Sequence, residues 1–304
     1  LNQIRDMAAA KVSSTKCRIL ICAGTGCLAG GSGEIYEKMC ELTKDCKDVD
    51  VEFGSEIAHG KRDIQKSSNV DIGNCVDENK NVDADIDKGE SVSRSENPVA
   101  VKRSGCHGFC EMGPLMRIEP LGILYTKVKP EDCEAIFERT IKHGNIIHHL
   151  LYKQDGIEYP KQEEIPFYEK QTRLVLKNCG HIDAEHIEEY IAVGGYQSFA
   201  KVLFEQTPND VIETILESNL RGRGGGGFQT GYKWKQVARQ PEKTRYIVCN
   251  GDEGDPGAFM DRSIMEGDPH KMIEGMLIAA YAVGAQEGYI YVRAEYPLAI
   301  SRLR

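Results

Sequence analysis

Apolar positions first gather in Cys17-Arg-Ile-Leu-Ile-Cys22, a short run whose length and β-branched content predict a strand. Ile35, Met39 and Leu42 then fall at helical spacing within residues 33–46, and Val49-Asp-Val-Glu-Phe53 alternates as a strand does. From about Gly60 to Pro98 the pattern dissolves into Lys, Asp, Asn, Ser and Glu with isolated Val and Ile. Such a stretch cannot bury enough apolar surface to fix a fold, which predicts a mobile insertion. Patterning resumes at Val99-Ala-Val-Lys. It continues through a predicted hairpin from Met116 to Val128 and an amphipathic helix over 130–142, where Pro130 suits the first turn.

The second half alternates helices with strands. A helix is expected after Asp183, as its N-cap, with Ile187 and Ile191 on the apolar face. Gly194-Gly195 interrupts it, and helical character returns from Tyr196 to Glu205. Val211, Ile212, Ile215 and Leu216 stripe another helix from Pro208 to Asn219. Tyr246-Ile-Val-Cys-Asn250 reads as a buried strand, residues 270–283 as an apolar helix, and Gly288-Tyr-Ile-Tyr-Val-Arg293 as a further strand. A helix begins at Pro297. The pattern gives an α/β chain in two parts, residues 1–152 and 171–304, joined by a proline-bearing linker at 153–170. A partly parallel sheet is expected in the second part. The last helix has no terminator, so the chain is expected to stop inside a domain.

Composition narrows the function. Of 304 residues 40% are hydrophobic, enough for real cores, and the net charge of −9 argues against a nucleic-acid surface. The longest apolar run, Met276 to Val283, is far too short to span a bilayer, and no secretory signal opens the chain. The 11 cysteines are an odd number and mostly single within apolar runs, as expected of a reducing cytoplasm rather than a disulfide scaffold.

Four cysteines stand apart. Cys22 and Cys27 sit in Cys-Ala-Gly-Thr-Gly-Cys, and Cys106 and Cys110 in Gly-Cys-His-Gly-Phe-Cys. Glycine lets the backbone fold closely round an inorganic centre and aim N–H groups at its sulfides. Two tight thiolate pairs suit an iron–sulfur centre or a zinc ion; two disulfides or four unrelated buried thiols are the plainer alternatives. His107 reads as a loop residue, and the other histidines show no ligand spacing with the cysteines.

Leu220-Arg-Gly-Arg-Gly-Gly-Gly-Gly-Phe228 is the second candidate. Gly222-x-Gly224-x-x-Gly227 formally satisfies the dinucleotide fingerprint, but a helix precedes it where the fingerprint needs a strand, and no P-loop ending follows. The physics survives both rejections. A glycine run lets backbone amides approach an anion, and Arg221, Arg223 and Lys233 supply positive charge, so a phosphate or pyrophosphate is the natural guest. A flexible linker is the alternative, though linkers seldom carry Phe228, Trp234 and three cations so close together. Asn250, Asp252, Glu253 and Asp255 crowd a turn at the C-terminal end of a strand, where open α/β sheets hold ligands; a turn made of turn-formers is the plainer reading. No nucleophile–base–acid arrangement favours a hydrolase.

These residues carry a resemblance. The first 150 residues resemble the thioredoxin-like [2Fe–2S] ferredoxin domain, which implies Cys22, Cys27, Cys106 and Cys110 as ligands. Arg221-Gly-Arg-Gly-Gly-Gly-Gly-Phe-Gln-Thr-Gly-Tyr-Lys-Trp234 and Cys249-Asn-Gly-Asp-Glu-Gly-Asp-Pro-Gly-Ala-Phe-Met-Asp-Arg262 are similar to the two signatures of the flavin- and NADH-binding subunit of respiratory complex I and its soluble relatives. Fusion of both on one chain resembles the beta subunit of NAD(P)-linked, often electron-bifurcating, [FeFe]-hydrogenases and related formate dehydrogenases. The implied fold is a thioredoxin-like domain followed by an incomplete FMN/NADH-binding domain. FMN contacts are implied for Gly222, Arg223, Gly224, Gly225, Lys233, Asn250, Asp252 and Glu253, and nicotinamide-nucleotide contacts for Phe228 and Asp255. Gln229 departs from the family's usual Pro, and Gln236 falls where some relatives place an aromatic. The resemblance further implies electron transfer between NAD(P)H and one-electron carriers through FMN, with a [4Fe–4S] site only in a C-terminal part beyond this sequence. Implied partners are other hydrogenase or formate dehydrogenase subunits and a ferredoxin, in the cytoplasm. No side chain is expected to act as a covalent catalyst. A non-catalytic iron–sulfur module and a zinc-stabilised binding protein are the alternatives.

Overall fold

A computed structural model describes residues 1–44, 46 and 98–304. The strand expected at 49–53 and nearly all of the 60–98 insertion lie outside the described residues.

Four strands form the first sheet: β1 (Cys17–Cys22), β2 (Val99–Ser104), β3 (Met116–Glu119) and β4 (Ile123–Tyr125), in the order β2-β1-β3-β4. β1 pairs parallel with β2, Cys22 opposite Ser104, and antiparallel with β3, Ile21 opposite Met116. The apolar run of β1 is buried on both faces, as a central strand requires, with Ile19, Leu20 and Ile21 inaccessible or nearly so. Three helices belong to the same half: α1 (Asn2–Ser14), α2 (Thr25–Ala29) and α3 (Ser32–Thr43). Ile35 and Met39 of α3, one helical turn apart, drop into the core beside Ile19, Ile21, Ile118 and Tyr125. The helix from Pro130 tightens at its start, passes through α4 (Cys133–Ala135) and widens into a π turn over Ile136–Ile141. The buried Tyr125 hydroxyl closes this layer, 2.7 Å from Thr140 Oγ1 and accepting from Ile147 N–H at 3.0 Å.

Residues 153–170 are not bare chain. β5 (Tyr152–Gln154) and β6 (Ile157–Tyr159) make a hairpin, and α5 (Pro166–Glu169) follows. Backbone bridges from Leu151 to Tyr125 and from Lys161 to Ile123 lay this segment along β4.

The second half contains α6 (Ile187–Ala192), α7 (Gln197–Glu205), α8 (Pro208–Glu217), α9 (Thr230–Ala238), β7 (Tyr246–Gly251), α10 (Met260–Gly267), α11 (Pro269–Val283), β8 (Glu287–Val292) and α12 (Pro297–Leu303). α6 starts beyond the expected Asp183 cap. Asp183 is instead bridged to Ser104 of β2, and its carboxylate accepts from Glu185 N–H at 2.9 Å while facing Lys102 at 3.7 Å. A residue held by the sheet cannot also open a helix. β7 and β8 pair in parallel, Cys249 opposite Ile290. The expectation that β7 is buried is not met: Val248 is 63% exposed and Tyr246 50%. Tyr246, Val248 and Asn250, alternate residues of β7, are exposed, so that face of the strand has no layer over it. α7, α8 and α11 enclose a small core of Val202, Val211, Ile212 and Ala282. Glu274 of α11, buried, ties them together: it accepts from Tyr190 Oη at 2.5 Å, Tyr196 N–H at 2.9 Å and Phe199 N–H at 3.1 Å, the last on the first turn of α7. No helix among the described residues is long and apolar enough to cross a membrane.

Candidate thiol centre and glycine loop

The four singled-out cysteines meet at one end of the first sheet. Cys22 ends β1, Cys27 lies in α2, Cys106 follows β2, and Cys110 starts the short turn over Cys110–Met112. Because β1 and β2 run parallel, Cys22 and Ser104 share a register position, and both loops leave the same edge together. The thiols form a chain. Cys22 is within hydrogen-bonding reach of Cys27 and Cys106, and the Cys106 and Cys110 sulfurs are 3.6 Å apart. The described cysteines are all free thiols, which removes the disulfide alternative for these four. Among the described residues no three His, Cys, Asp or Glu side chains surround a single-ion position. Thiols linked in the order Cys27, Cys22, Cys106, Cys110 can divide between the two irons of a [2Fe–2S] core.

Local sequence explains the close approach. A Cβ on Gly24 would lie 2.9 Å from Cys106 Cβ, and one on Gly113 only 2.7 Å from Cys27 Sγ. Any side chain there displaces a thiol. The Cys106 thiol is held below its ordinary pKa, first by hydrogen bonds from Cys110 and Cys22 and then by Gly108 N–H, 3.3 Å away. Cys110 moves the other way, through its bond to Cys106 and then burial. Cys22 and Cys27 are almost wholly buried whereas Cys110 is exposed, so the centre has a closed and an open side.

Neighbouring groups complete the wall. Phe109 packs with Cys22, Cys27 and Tyr168, and its ring stacks on Phe167 at 4.7 Å and meets Tyr168 edge-on at 5.6 Å. The Tyr168 hydroxyl is buried and makes no hydrogen bond to the protein, which leaves a donor beside the thiols for a sulfide-bearing group. His107 is not a simple loop residue. It is fully buried, its Nε2 3.0 Å from Ser104 Oγ and its Nδ1 3.3 Å from Gln162 Oε1, and burial pushes its pKa down to about 3. The sequence offered no sign of this, because Gln162 lies 55 residues away.

The glycine loop is built differently. Arg221 bridges Gln229 across its neck, Gly222 N–H donates to Phe228 O at 2.9 Å, and Thr230 N–H to Leu220 O at 2.9 Å. Beyond the neck, a Cβ on Gly224, Gly225, Gly226 or Gly227 would meet nothing within 4 Å. Gly225 and Gly227 have φ of 97° and 60°, a turn of backbone that L side chains rarely adopt. Arg221 spends its guanidinium on Gly227 O at 3.0 Å. Arg223 and Lys233 are exposed, as is Phe228 at 54%, its ring 6.1 Å from Tyr232. Lys233 stands in α9, a helix that the sequence pattern did not reveal.

The acidic turn after β7 carries the remaining candidates. Asn250 Oδ1 accepts from Asp252 N–H at 2.9 Å, the local bond expected of a turn-former. Glu253 faces inward. Its carboxylate accepts from Asp261 N–H at 3.1 Å and Arg262 N–H at 3.3 Å, capping α10, and from Tyr296 Oη at 3.2 Å. Asp255 remains exposed. No hydrogen bond among the described residues joins this turn to the glycine loop, so the two groups are placed independently, one by α8 and α9, the other by β7 and α10.

Residues 215–304 match the family described as the Nuo51 FMN-binding domain of complex I. Over 135 residues the chain is 53% identical to the HndC component of the NADP-reducing hydrogenase of Solidesulfovibrio fructosivorans, covering 44% of this chain and 27% of that protein. Over 130 residues it is 49% identical to the F 2 component of the NADH-quinone oxidoreductase of Rhizobium meliloti (strain 1021), covering 43% and 31%. The chain thus spans roughly a third or less of these relatives' length. A thioredoxin-like [2Fe–2S] ferredoxin from Aquifex aeolicus aligns with 47% of this chain and 94% of its own at 17% identity, with a TM-score of 0.28. From residue 215 to residue 304, then, this chain is similar to the Nuo51 FMN-binding domain, and that similarity covers less than half of it.

Proposed function

We propose that the chain is an electron-transfer subunit in which an FMN-binding domain and a [2Fe–2S] centre stand on one polypeptide. It passes electrons between NAD(P)H and one-electron carriers as part of a hydrogenase-type complex in the cytoplasm. The observation that carries this reading is the coexistence, on one chain, of the Nuo51-type domain with four cysteines gathered at one sheet edge. FMN, when bound, supplies the exchange between a two-electron donor and single electrons.

The chain's own residues have distinct tasks in this reading. Gly222, Gly224 and Gly225 let backbone amides close on the flavin phosphate, and Arg223 and Lys233 bring charge to it from exposed positions. Asn250, Asp252 and Glu253 order the turn that borders the flavin, Glu253 by holding the start of α10. Phe228 offers an exposed ring for stacking a nicotinamide nucleotide, with Asp255 near it. Cys22, Cys27, Cys106 and Cys110 hold the irons, and the buried side formed by Phe109 and Tyr168 keeps water from Cys22 and Cys27. Fitting partners are the other subunits of a hydrogenase or formate dehydrogenase, or a ferredoxin, at the open Cys110 side.

The test is anaerobic purification followed by quantification of iron, acid-labile sulfide, zinc and flavin. The expected result is about two iron and two sulfide per chain with FMN bound. Zinc without sulfide would replace the reading with a zinc-stabilised binding protein, and iron and sulfide without flavin would leave an electron-transfer module that turns nothing over.

A further inference from the structure

Helix α10 touches both candidate sites. Glu253 caps its first turn, and Glu266 ends it against the thiol loops. Glu266 is 2% exposed, and its carboxylate accepts from the Thr25 hydroxyl at 2.6 Å and from Thr25 N–H at 3.2 Å. Thr25 lies between Cys22 and Cys27 and opens α2. Arg302 of α12 donates to the carbonyls of Glu266 and Ala23, so the residue after Cys22 is held as well. Gly105, just before Cys106, lies against Gly267: a Cβ on Gly105 would stand 2.4 Å from Gly267 Cα. Both thiol loops therefore rest on the end of one helix from the other half of the chain.

The position of Glu266 is physically costly. A carboxylate in the last turn of a helix opposes the helix dipole, and a buried one needs donors. Thr25 supplies two. Arg262 Nε is 3.9 Å away, and the Arg302 guanidinium lies alongside, itself 3.5 Å from Glu185. The Glu266 carboxylate thus sits against the loop that carries two of the four thiols.

We propose that Glu266 is a positioning residue for the iron–sulfur centre. It fixes the loop between Cys22 and Cys27 through both Thr25 donors, and its charge keeps the centre's reduction potential low. The inference rests on the iron–sulfur reading of the four cysteines. Reduction adds an electron, and a nearby negative charge in a poorly solvated setting opposes that addition. The Thr25 N–H and hydroxyl, being committed to the carboxylate, are also not offered to the sulfurs, where hydrogen bonds would ease reduction.

The test is an anaerobic redox titration of the whole chain, followed by electron paramagnetic resonance, for wild type, Glu266→Gln and Thr25→Val. Glu266→Gln keeps an acceptor for Thr25 but removes the charge. Its midpoint is expected to rise by roughly a tenfold change in the reduction equilibrium, ~59 mV for one electron. Thr25→Val deletes the hydroxyl that partly neutralises the carboxylate, so its midpoint is expected to fall, by less. Opposite signs distinguish a charge effect from a loosened clamp, which shifts both variants alike or neither. If Glu266→Gln fails to assemble a cluster, Thr25→Val decides alone: a lowered midpoint supports the proposal, and an unchanged or raised one overturns it. A wild-type chain without iron and sulfide overturns the underlying reading and this inference with it. A wild-type cluster whose midpoint ignores both substitutions overturns this inference only.

Discussion

The thiol centre and the glycine loop prepare for their guests in opposite ways. Around the thiols every neighbour is close: Gly24 and Gly113 have no room for a side chain, Cys22 and Cys27 are sealed, and Phe109, Tyr168 and His107 line the interior. Around the glycine loop almost nothing is close, and its shape comes from backbone bonds at the neck and two left-handed glycines. A metal core held by covalent ligands needs side chains aimed before it arrives, whereas a phosphate cradle needs free N–H groups and open space. The contrast extends to the supporting sheets. The first is buried on both faces, and the β7–β8 pair leaves Val248, Tyr289 and Tyr291 exposed.

The largest expected effect breaks the first region and leaves the second. Cys22→Ser or Cys106→Ser abolishes the iron–sulfur absorbance, while FMN content in the same preparation stays near that of the parent. Loss of both together would show that the regions are not separable.

Glu274→Ala strikes the second region's scaffold. It strands three donors, Tyr190 Oη and the N–H groups of Tyr196 and Phe199, and should cost about 3 kcal/mol, read as a drop of several degrees in thermal unfolding. Iron content should be unaffected.

Acidification should tell on the thiol side. His107 has its folded pKa depressed to about 3 by burial, below the value of an unfolded histidine. The unfolded state therefore binds more protons between those values. The His107 contribution is complete above about pH 6.5 and is lost as pH falls towards 3. Thermal unfolding from pH 7 to pH 4 should show a decline that is shallower in His107→Gln, by about 3 kcal/mol at pH 4.

The gentlest change sharpens the contrast. Lys233→Ala should weaken FMN binding by roughly tenfold in equilibrium dialysis without moving the melting temperature, because the side chain is exposed. A lower melting temperature in that variant would mean that the loop is braced by its cations.

Much of the first region could be read directly from residues. The run from Cys17 to Cys22 is mostly apolar, and glycines beside each cysteine pair marked the close approach that Gly24 and Gly113 display. α1 escaped notice because Ala8 alone is buried along it, which leaves no stripe to detect. α10 escaped because it begins directly from the acidic turn, and its buried face includes Ser263, Glu266 and Gly267 rather than large apolar residues alone. The bond from Thr25 to Glu266 spans 241 positions, and no local pattern encodes such a contact. The expected burial of β7 failed for a related reason: its apolar composition was legible, but whether a layer covers it depends on other elements.

The central claim is that flavin and iron–sulfur chemistry share this chain and exchange electrons. Its most direct test is anaerobic addition of NADH, and separately NADPH, to the purified protein, with flavin absorbance and the paramagnetic signal followed together. Bleaching of the flavin accompanied by the signal of a reduced [2Fe–2S] centre, with the signal absent in Cys106→Ser, is the predicted result. A flavin that bleaches fully while an intact, dithionite-reducible cluster stays oxidised would contradict it.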